Sequence, residues 1–332
     1  LHELAGERLG PFDLRGGPPI KALFIQNMNP VQVAPEQRLV KKGFLREDLF
    51  VCVHEQFMTA TAELADIVLP ATMFLEHDDV YTSGGHQHLQ AGPRHLQPPG
   101  ECRSNHDVIC DLARRVGARH RGFEMTPTEV LDATLQTSGY GTWDDFVDAR
   151  WLDLQPDFVT SHFLEGFGFP DRKFRFKPDW ASVAVPNDGP MGPIADMPLL
   201  PDYWPINEMP DAQHPFRLAT SPARSYLNSS FNEMPSSREK EGPPRAKIHP
   251  DDMTRLGLVA GDRIRMGNER GGIGLMAEAF PGIQPGVVVV ESIPPNYQFE
   301  GGEGLNTLTS AYQPAPFGGA AFHDNTVWIR KA

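Results

Sequence analysis

Residues 49–87, LFVCVHEQFMTATAELADIVLPATMFLEHDDVYTSGGHQ, restrict the fold more than any other stretch. Leu49–His54 is a short apolar run of strand length. Gln56–Asp66 places small and apolar residues at helical spacing, with Thr59 and Thr61 near its start. Ile67–Pro70 reads as a second strand that stops at a proline. The carboxylate pair Asp78–Asp79 follows, then a turn at Gly84–Gly85. Upstream, Lys21–Gln26 is a strand, and Val33–Phe44 has helical spacing with glutamate early and lysines late. The predicted order is strand–helix–strand–helix–strand, the pattern of a parallel α/β sheet. Ligands of such sheets sit beyond the carboxyl ends of the strands.

Downstream, Asn105–Val116 is predicted as an amphipathic helix with Val108, Ile109, Leu112, Ala113 and Val116 on its buried face. Thr126-Pro127-Thr128-Glu129 opens a helix reaching about Gln136, with proline at the first helical position and a capping box. Thr142–Ala149 is a further helix, buried through Trp143, Phe146 and Val147. Lys173–Phe176 alternates as a short strand. Pro178–Pro215 is dense in proline and has no period, as in a linker. Beyond it the character changes to short strands at Arg217–Thr220, Ala246–Ile248, Asp262–Met266, Ile273–Ala279, Val287–Glu291 and Thr326–Arg330. A short helix lies at Asp251–Leu256, and the spacing predicts a closed barrel. The division is therefore an α/β domain over 1–179, a linker over 180–214 and an all-β domain over 215–332.

Composition narrows the function. A formal charge of −13 argues against a nucleic-acid surface. A polyanionic ligand would need local donors acting against that field. The apolar runs are too short to span a bilayer. No secretory leader stands at the N-terminus, so a cytoplasmic protein is expected. Residues 1–19 carry no period and read as the end of a segment that continues upstream. Cys52, Cys102 and Cys110 form neither a disulfide framework nor a tetrahedral metal pattern. His86, His88 and His95 cluster after the Gly84–Gly85 turn, as a metal site or a solvated hairpin.

The 49–87 stretch resembles the molybdopterin oxidoreductases of the dimethyl sulfoxide reductase and formate dehydrogenase family. The shared pattern is T-x-T-A-x-x-A-D-x-x-L-P followed by an acidic turn, a glycine and a glutamine. It falls here on Thr59, Thr61, Ala62, Ala65, Asp66, Leu69, Pro70, Glu76, Gly84, Gly85 and Gln87. Threonine also caps helices, which leaves a purely structural role open for Thr59 and Thr61. The family's G-x-N-P turn after the first strand matches Asn27-Met28-Asn29-Pro30, with asparagine where glycine is usual; asparagine tolerates the left-handed conformation. In the C-terminal part the matches are Pro250, Asp252, Leu256, Gly257, Gly261, Asp262, Asn268 and Gly271. They imply a double-psi β-barrel that binds molybdopterin dinucleotide.

The resemblance implies a cofactor wall made of Asn27, Asn29, His54, Glu55, Thr59, Thr61, Gly85 and Gln87 from the α/β part. The barrel would add Thr220, Ser221, Arg224, Ser225, Asn228, Ser229, Asn306 and Phe322. Arg224 is expected on a phosphate and Asn306 on a base or pterin edge. Family members have histidine–serine or a related pair where Asn228-Ser229 stands, which removes a proton donor. Gly318, Gly319 and Phe322 match a weaker family loop. The family's iron–sulfur motif and its cysteine, selenocysteine or serine metal ligand have no counterpart, since no C-x-x-C occurs. The chain is thus expected to be the C-terminal part of a molybdenum or tungsten enzyme that holds molybdopterin guanine dinucleotide. Metal and any iron–sulfur cluster would come with the missing N-terminal half, and an electron-transfer subunit is a possible partner. The alternative is a cofactor-free structural subunit of the same fold, as in the large subunit of NADH dehydrogenase.

Overall fold

Backbone pairing in the computed structural model, which describes residues 19–177, 179, 200, 208–312 and 320–332, gives two three-stranded sheets and one closed barrel. Strands β1 (Ala22–Gln26), β2 (Phe50–Glu55) and β3 (Ile67–Pro70) run parallel in that order. Helices α1 (Pro30–Val33) and α2 (Gln37–Phe44) connect β1 to β2. The single helix expected over Val33–Phe44 is two helices. Pro35 forces Ala34 into an extended conformation, and Glu36 takes φ 50°. The helix expected over Gln56–Asp66 is absent, apart from a 3-10 turn at Ala62–Leu64. The threonine side chains there take backbone partners of their own: Thr59 Oγ1 accepts from Ala62 N–H and Thr61 Oγ1 from Val31 N–H. Asp66 accepts from Val51 N–H at 2.7 Å and so fixes the entry of β3 onto β2.

Ile25, Val31, Val40, Phe44, Val51 and Val53 pack between this sheet and α1–α2. The opposite sheet face leaves Phe24, Phe50 and Ile67 exposed. A parallel sheet ordinarily has both faces covered.

Strands β4 (Asp79–Ser83) and β5 (His86–Gly92) form a hairpin over Gly84–Gly85. Helix α3 (Asn105–Val116) is capped by Ser104 and ended by Gly117 at φ 74°. Its apolar face is not the buried face that was expected. Ala113 and Cys110 are buried, whereas Ile109, Leu112 and Val116 are exposed, because no described element packs against that side. Helices α4 (Pro127–Thr137) and α5 (Trp143–Ala149) both begin with complete capping boxes, and Trp143 and Phe146 pack with Leu89 and Leu135. Strand β6 (Trp151–Asp153) pairs with β5, and α6 (Phe158–Ser161) follows. Lys173–Phe176 is not a strand: among the described residues no strand lies beside it, and Phe174 and Phe176 are exposed.

Most of the proline-dense 178–215 stretch lies outside the described residues. At its end, Glu208 pairs with Arg270 at 2.8 Å and accepts from Thr326 N–H. Then come β7 (Phe216–Ser221), α7 (Pro235–Glu241), β8 (Arg245–Ile248), α8 (Pro250–Leu256), β9 (Arg263–Asn268), β10 (Gly271–Ala279), β11 (Val287–Glu291) and β12 (Asn325–Lys331). The barrel closes in the order β10-β8-β11-β7-β12-β9 and leaves no strand edge open. All six expected strands are present. Helix α7 was not foreseen. Phe216, Leu218, Ile248, Ile264, Met266, Ile273 and Val288 fill the interior. Asp252 at the start of α8 is buried and engaged on both oxygens, by Arg255 at 2.6 Å and by Gly286 N–H at 2.7 Å.

We propose a domain boundary at 180–214 and expect limited proteolysis to cut there first, leaving a C-terminal piece of about 115–120 residues, a normal domain size. The contacts described next predict that the two pieces then co-elute on gel filtration. Separation of the pieces, or first cuts inside the barrel, would contradict this.

Candidate functional site

Parallel strands bring their carboxyl ends to one edge. In the sheet that edge is Gln26, Glu55 and Pro70. In the barrel β7 and β11 are parallel neighbours, so the loops after Ser221 and Glu291 leave side by side. Ser292, buried at φ 60°, donates its N–H to Ser221 O at 2.6 Å.

Buried side-chain amides lock the two edges together. Asn29 Oδ1 accepts from Thr61 Oγ1 at 2.8 Å, and its Nδ2 donates to Gln32 Oε1. Gln32 Nε2 donates to Ile293 O at 3.0 Å, one residue past the Ser221–Ser292 bond. Gln37 donates to Val31 O and to Asn296 Oδ1, and it accepts from Gly304 N–H at 2.8 Å and from Thr307 Oγ1. Gly304 is needed there: a Cβ would lie 2.3 Å from Asn296 Oδ1. On the outer side Arg38 forms a fork with Glu303 at 2.6 and 2.8 Å.

The residues expected on the wall divide into two groups. Asn29, His54, Thr59, Thr61 and Asn306 are buried and have partners within the chain. His54 Nδ1 lies 3.0 Å from Gln26 Nε2 and its Nε2 lies 3.1 Å from Arg103 O, a pairing that suits donation from Nε2 and acceptance at Nδ1. Asn306 donates to Gln32 O at 2.9 Å and accepts from Thr309 Oγ1 at 3.0 Å, which makes it a brace between barrel and sheet. Asn27, at φ 54°, is exposed, and its left-handed backbone is the one that a glycine would adopt. Glu55 is half-buried and accepts from Gln56 N–H. Gly85 and Gln87 sit on the exposed hairpin. His86 and His88 have ring centroids 5.4 Å apart, and among the described residues no group of three potential ligands could hold a metal ion.

On the barrel, Thr220 Oγ1 lies 3.1 Å from His323 Nδ1, and Ser225 N–H donates to Glu241. Ser221 and Ser229 are half-buried. Arg224 is exposed and has no ion-pair partner among the described residues. Phe322 is half-buried, and its carbonyl accepts from Asn325. Gly318 and Gly319 lie outside the described residues. Asn228 has φ 50°, which asparagine tolerates, and Phe231 has φ 66°, which costs a bulky residue roughly 1–3 kcal/mol. Between α7 and this loop, Tyr226 is 7% exposed, and burial, with Glu241 and Tyr297 adding, pushes its phenol up to about 12. The neutral phenol is the form that the fold favours. Its contribution is therefore complete below pH about 10 and is lost as pH rises toward 12, about 2–3 kcal/mol in all. Absorbance titration should show one tyrosine ionising late, and Tyr226→Phe should remove that phase.

Sequence reasoning missed the cleft beyond the sheet edge, about 370 Å³, lined by Asn27, Gln56, Thr72, His77, Asp78, Asp79, Tyr81, Ser104, Asn105 and His106 with an apolar floor of Phe74, Val130 and Leu131. Only Asn27 and the Asp78–Asp79 pair pointed to it. The amides Gln32, Gln37 and Asn296 were missed as well. The available signal was Gln37 at helical spacing with Val40 and Phe44, a polar residue on an apolar stripe.

Comparison with known proteins places both halves. The family model "Molybdopterin oxidoreductase" matches residues 15–115, and "Molydopterin dinucleotide binding domain" matches residues 216–327. The chain belongs to the molybdopterin oxidoreductase superfamily. It is 32% identical over 98% of its length to "Probable oxidoreductase YoaE" of Bacillus subtilis, covering 46% of that protein. It is 27% identical over 82% of its length to "F420-dependent formate dehydrogenase subunit alpha" of Methanocaldococcus jannaschii, covering 38% of it. Acetylene hydratase from Pelobacter acetylenicus shares the fold, with TM-score 0.73 and 20% identity, over 99% of this chain and 46% of that one. The chain thus spans less than half the length of these relatives. Its closed barrel is the dinucleotide-binding architecture of the superfamily, and its family is one of redox enzymes.

A molybdopterin dinucleotide brings phosphates and heterocycle edges rich in donors and acceptors. The residues present fit it. The loop after β7 offers hydroxyls, backbone N–H groups and an arginine without an ion-pair partner. The same loop holds Asn232, 1% exposed, whose Oδ1 is buried without a partner. An orphaned acceptor of this kind costs about 1–3 kcal/mol.

Proposed function

We propose that the chain forms one wall of the bis(molybdopterin guanine dinucleotide) site of a molybdenum or tungsten oxidoreductase, formate dehydrogenase-like in type. The observation that carries this reading is the buried amide lattice, which fixes the carboxyl ends of the parallel sheet and of β7–β11 as one rigid surface. Within it, the loop of Ser221, Arg224, Ser225, Asn228 and Ser229 holds the phosphates, and Thr220 and Phe322 flank them. The cleft at Asp78 and Asp79 has no lysine or arginine among its lining residues. It suits ribose hydroxyls or N–H donors and disfavours phosphate. Asn29, His54, Thr59, Thr61 and Asn306 support this surface from behind, while Asn27 and Glu55 face the crevice and Gly85 and Gln87 shape the hairpin beside it. Bound there, the metal and its pterin dithiolenes would supply the two-electron chemistry.

The metal ligand and any iron–sulfur cluster are assigned to the missing N-terminal half of the same enzyme, whose apolar surface would cover Phe24, Phe50 and Ile67. An electron-transfer subunit is a further partner. No described helix is long and apolar enough to cross a membrane, and we assign the parent to the cytoplasm. One observation favours the alternative, a cofactor-free structural subunit: several expected contact residues already have internal partners. The full-length parent decides between them. Acid treatment of the purified parent should release stoichiometric guanine nucleotide, with molybdenum or tungsten in the intact protein, while this chain alone should carry no metal and show no turnover. A folded parent without nucleotide would leave the structural reading.

A further inference from the structure

At the C-terminal end of α3 the charge of the chain reverses. In a protein of formal charge −13, the stretch between Asp111 and Glu124 carries Arg114, Arg115, Arg119, His120 and Arg121 and no carboxylate. All of these side chains are exposed. Two of the arginines have a local reason. Arg114 pairs with Asp111 at 2.6 Å, Arg115 adds to the field on that carboxylate, and both suit the negative end of the helix. Arg119 and Arg121 stand beyond Gly117, where α3 has ended. Among the described residues neither makes an ion pair or a side-chain hydrogen bond. Arg121 also borders a groove of about 320 Å³ between the 3-10 turn Arg121–Phe123 and α4. Half-buried Met125, Val130 and Ala133 line it, with Thr137 and Ser138 at the side, and no carboxylate does. Arginine and methionine around an apolar depression are the composition of a protein interface, and the weakly hydrated guanidinium fork suits carboxylates there.

Charge selects the occupant. A nucleic acid or an anionic membrane presents its charge over an area much wider than this patch, and the rest of the acidic chain repels it. A short acidic segment meets the patch alone. The apolar groove takes a hydrocarbon side chain, which neither a phosphate backbone nor a lipid headgroup supplies. We propose that the end of α3 and the groove beside α4 form a docking surface for an acidic polypeptide segment. Its carboxylates sit on Arg119 and Arg121, and one apolar side chain enters the groove over Met125, Val130 and Ala133. The inference does not rest on the cofactor-wall reading.

The test selects a random library of short peptides on the immobilised chain and, in parallel, on the double variant Arg119→Glu/Arg121→Glu. Peptides held by the wild type should be enriched in aspartate and glutamate around one large apolar residue, and the double variant should lose that enrichment. The best peptide, labelled and followed by fluorescence anisotropy, should bind the double variant roughly tenfold more weakly, and high salt should narrow the gap. Alanine in place of its apolar residue should weaken binding about fivefold. Both arginines are exposed, so the thermal midpoint of the variant should not move; if it does, Arg119→Gln/Arg121→Gln replaces it and should still weaken binding. Four results would overturn the proposal: no acidic enrichment over the variant, equal binding by wild type and variant, equal binding of the alanine peptide, or tighter binding of a single-stranded oligonucleotide or phosphatidylglycerol vesicles than of the selected peptide.

Discussion

Gln37→Leu should uncouple the barrel from the parallel sheet. Gln37 is fully buried, and all of its amide capacity is in use: two donors to Val31 O and Asn296 Oδ1, two acceptor positions to Gly304 N–H and Thr307 Oγ1. Leucine fills similar space but strands Gly304 N–H and Asn296 Oδ1 away from water. Each stranded group costs about 1–3 kcal/mol, so the total loss is on the order of 3–5 kcal/mol. The cost falls on the joint between the domains, since both cores remain intact. Urea unfolding followed by fluorescence should change from one transition to two, with the sheet domain melting first. A variant within about 0.5 kcal/mol of wild type and still cooperative would show that the joint rests on other contacts. Arg38→Ala should cost far less, because its fork with Glu303 is exposed and worth at most about 1 kcal/mol.

The contrast between these two residues explains which parts of the molecule were legible in the sequence. Strand positions followed from local apolar runs and turn residues, and all six barrel strands fall within a residue or two of their expected bounds. Capping boxes at Thr126 and Thr142 are local, and the first was read directly. The split of the Val33–Phe44 helix is local, set by Pro35; the failures at Thr59 and Thr61, at Lys173–Phe176 and at α3 depend on tertiary partners. Thr59 and Thr61 sit in a pattern with helical period, yet their hydroxyls are taken by backbone from the segment and from α1. Lys173–Phe176 alternates but has no strand to pair with among the described residues. The apolar stripe of α3 is present, but its covering layer is not among the described residues.

The candidate site divides in the same way. Asn27 was read correctly as a left-handed turn residue, because that property belongs to one residue. The buried roles of Asn29, His54 and Asn306 could not be read, since a polar residue that meets a ligand and one that braces two domains look alike in a sequence. The cleft at Asp78–Asp79 is assembled from β4, α3, α4 and three loops, and no single segment announces it.

Arg224 should behave oppositely to Gln37. It is exposed and makes no ion pair among the described residues, so its removal should leave thermal stability unchanged. Surface pairing with Glu233, the ordinary fate of such an arginine, is not observed among the described residues. In a chain of net charge −13, an unneutralised arginine beside hydroxyls provides the local attraction that a pyrophosphate requires. Each charged hydrogen bond lost would cost about 1.5–3 kcal/mol, so Arg224→Ala in the full-length parent should lower retained guanine nucleotide tenfold or more. Arg224→Lys should recover part of it, since an ammonium supplies charge without the bidentate fork. Asn306→Ala should also deplete nucleotide, but only together with a fall in stability, because it breaks the brace to Gln32. Nucleotide content and thermal midpoint, measured on all three variants, separate direct contact from support. Wild-type nucleotide content in Arg224→Ala would remove Arg224 from the phosphate and leave the charge balance of the wall to groups contributed by the other half of the enzyme.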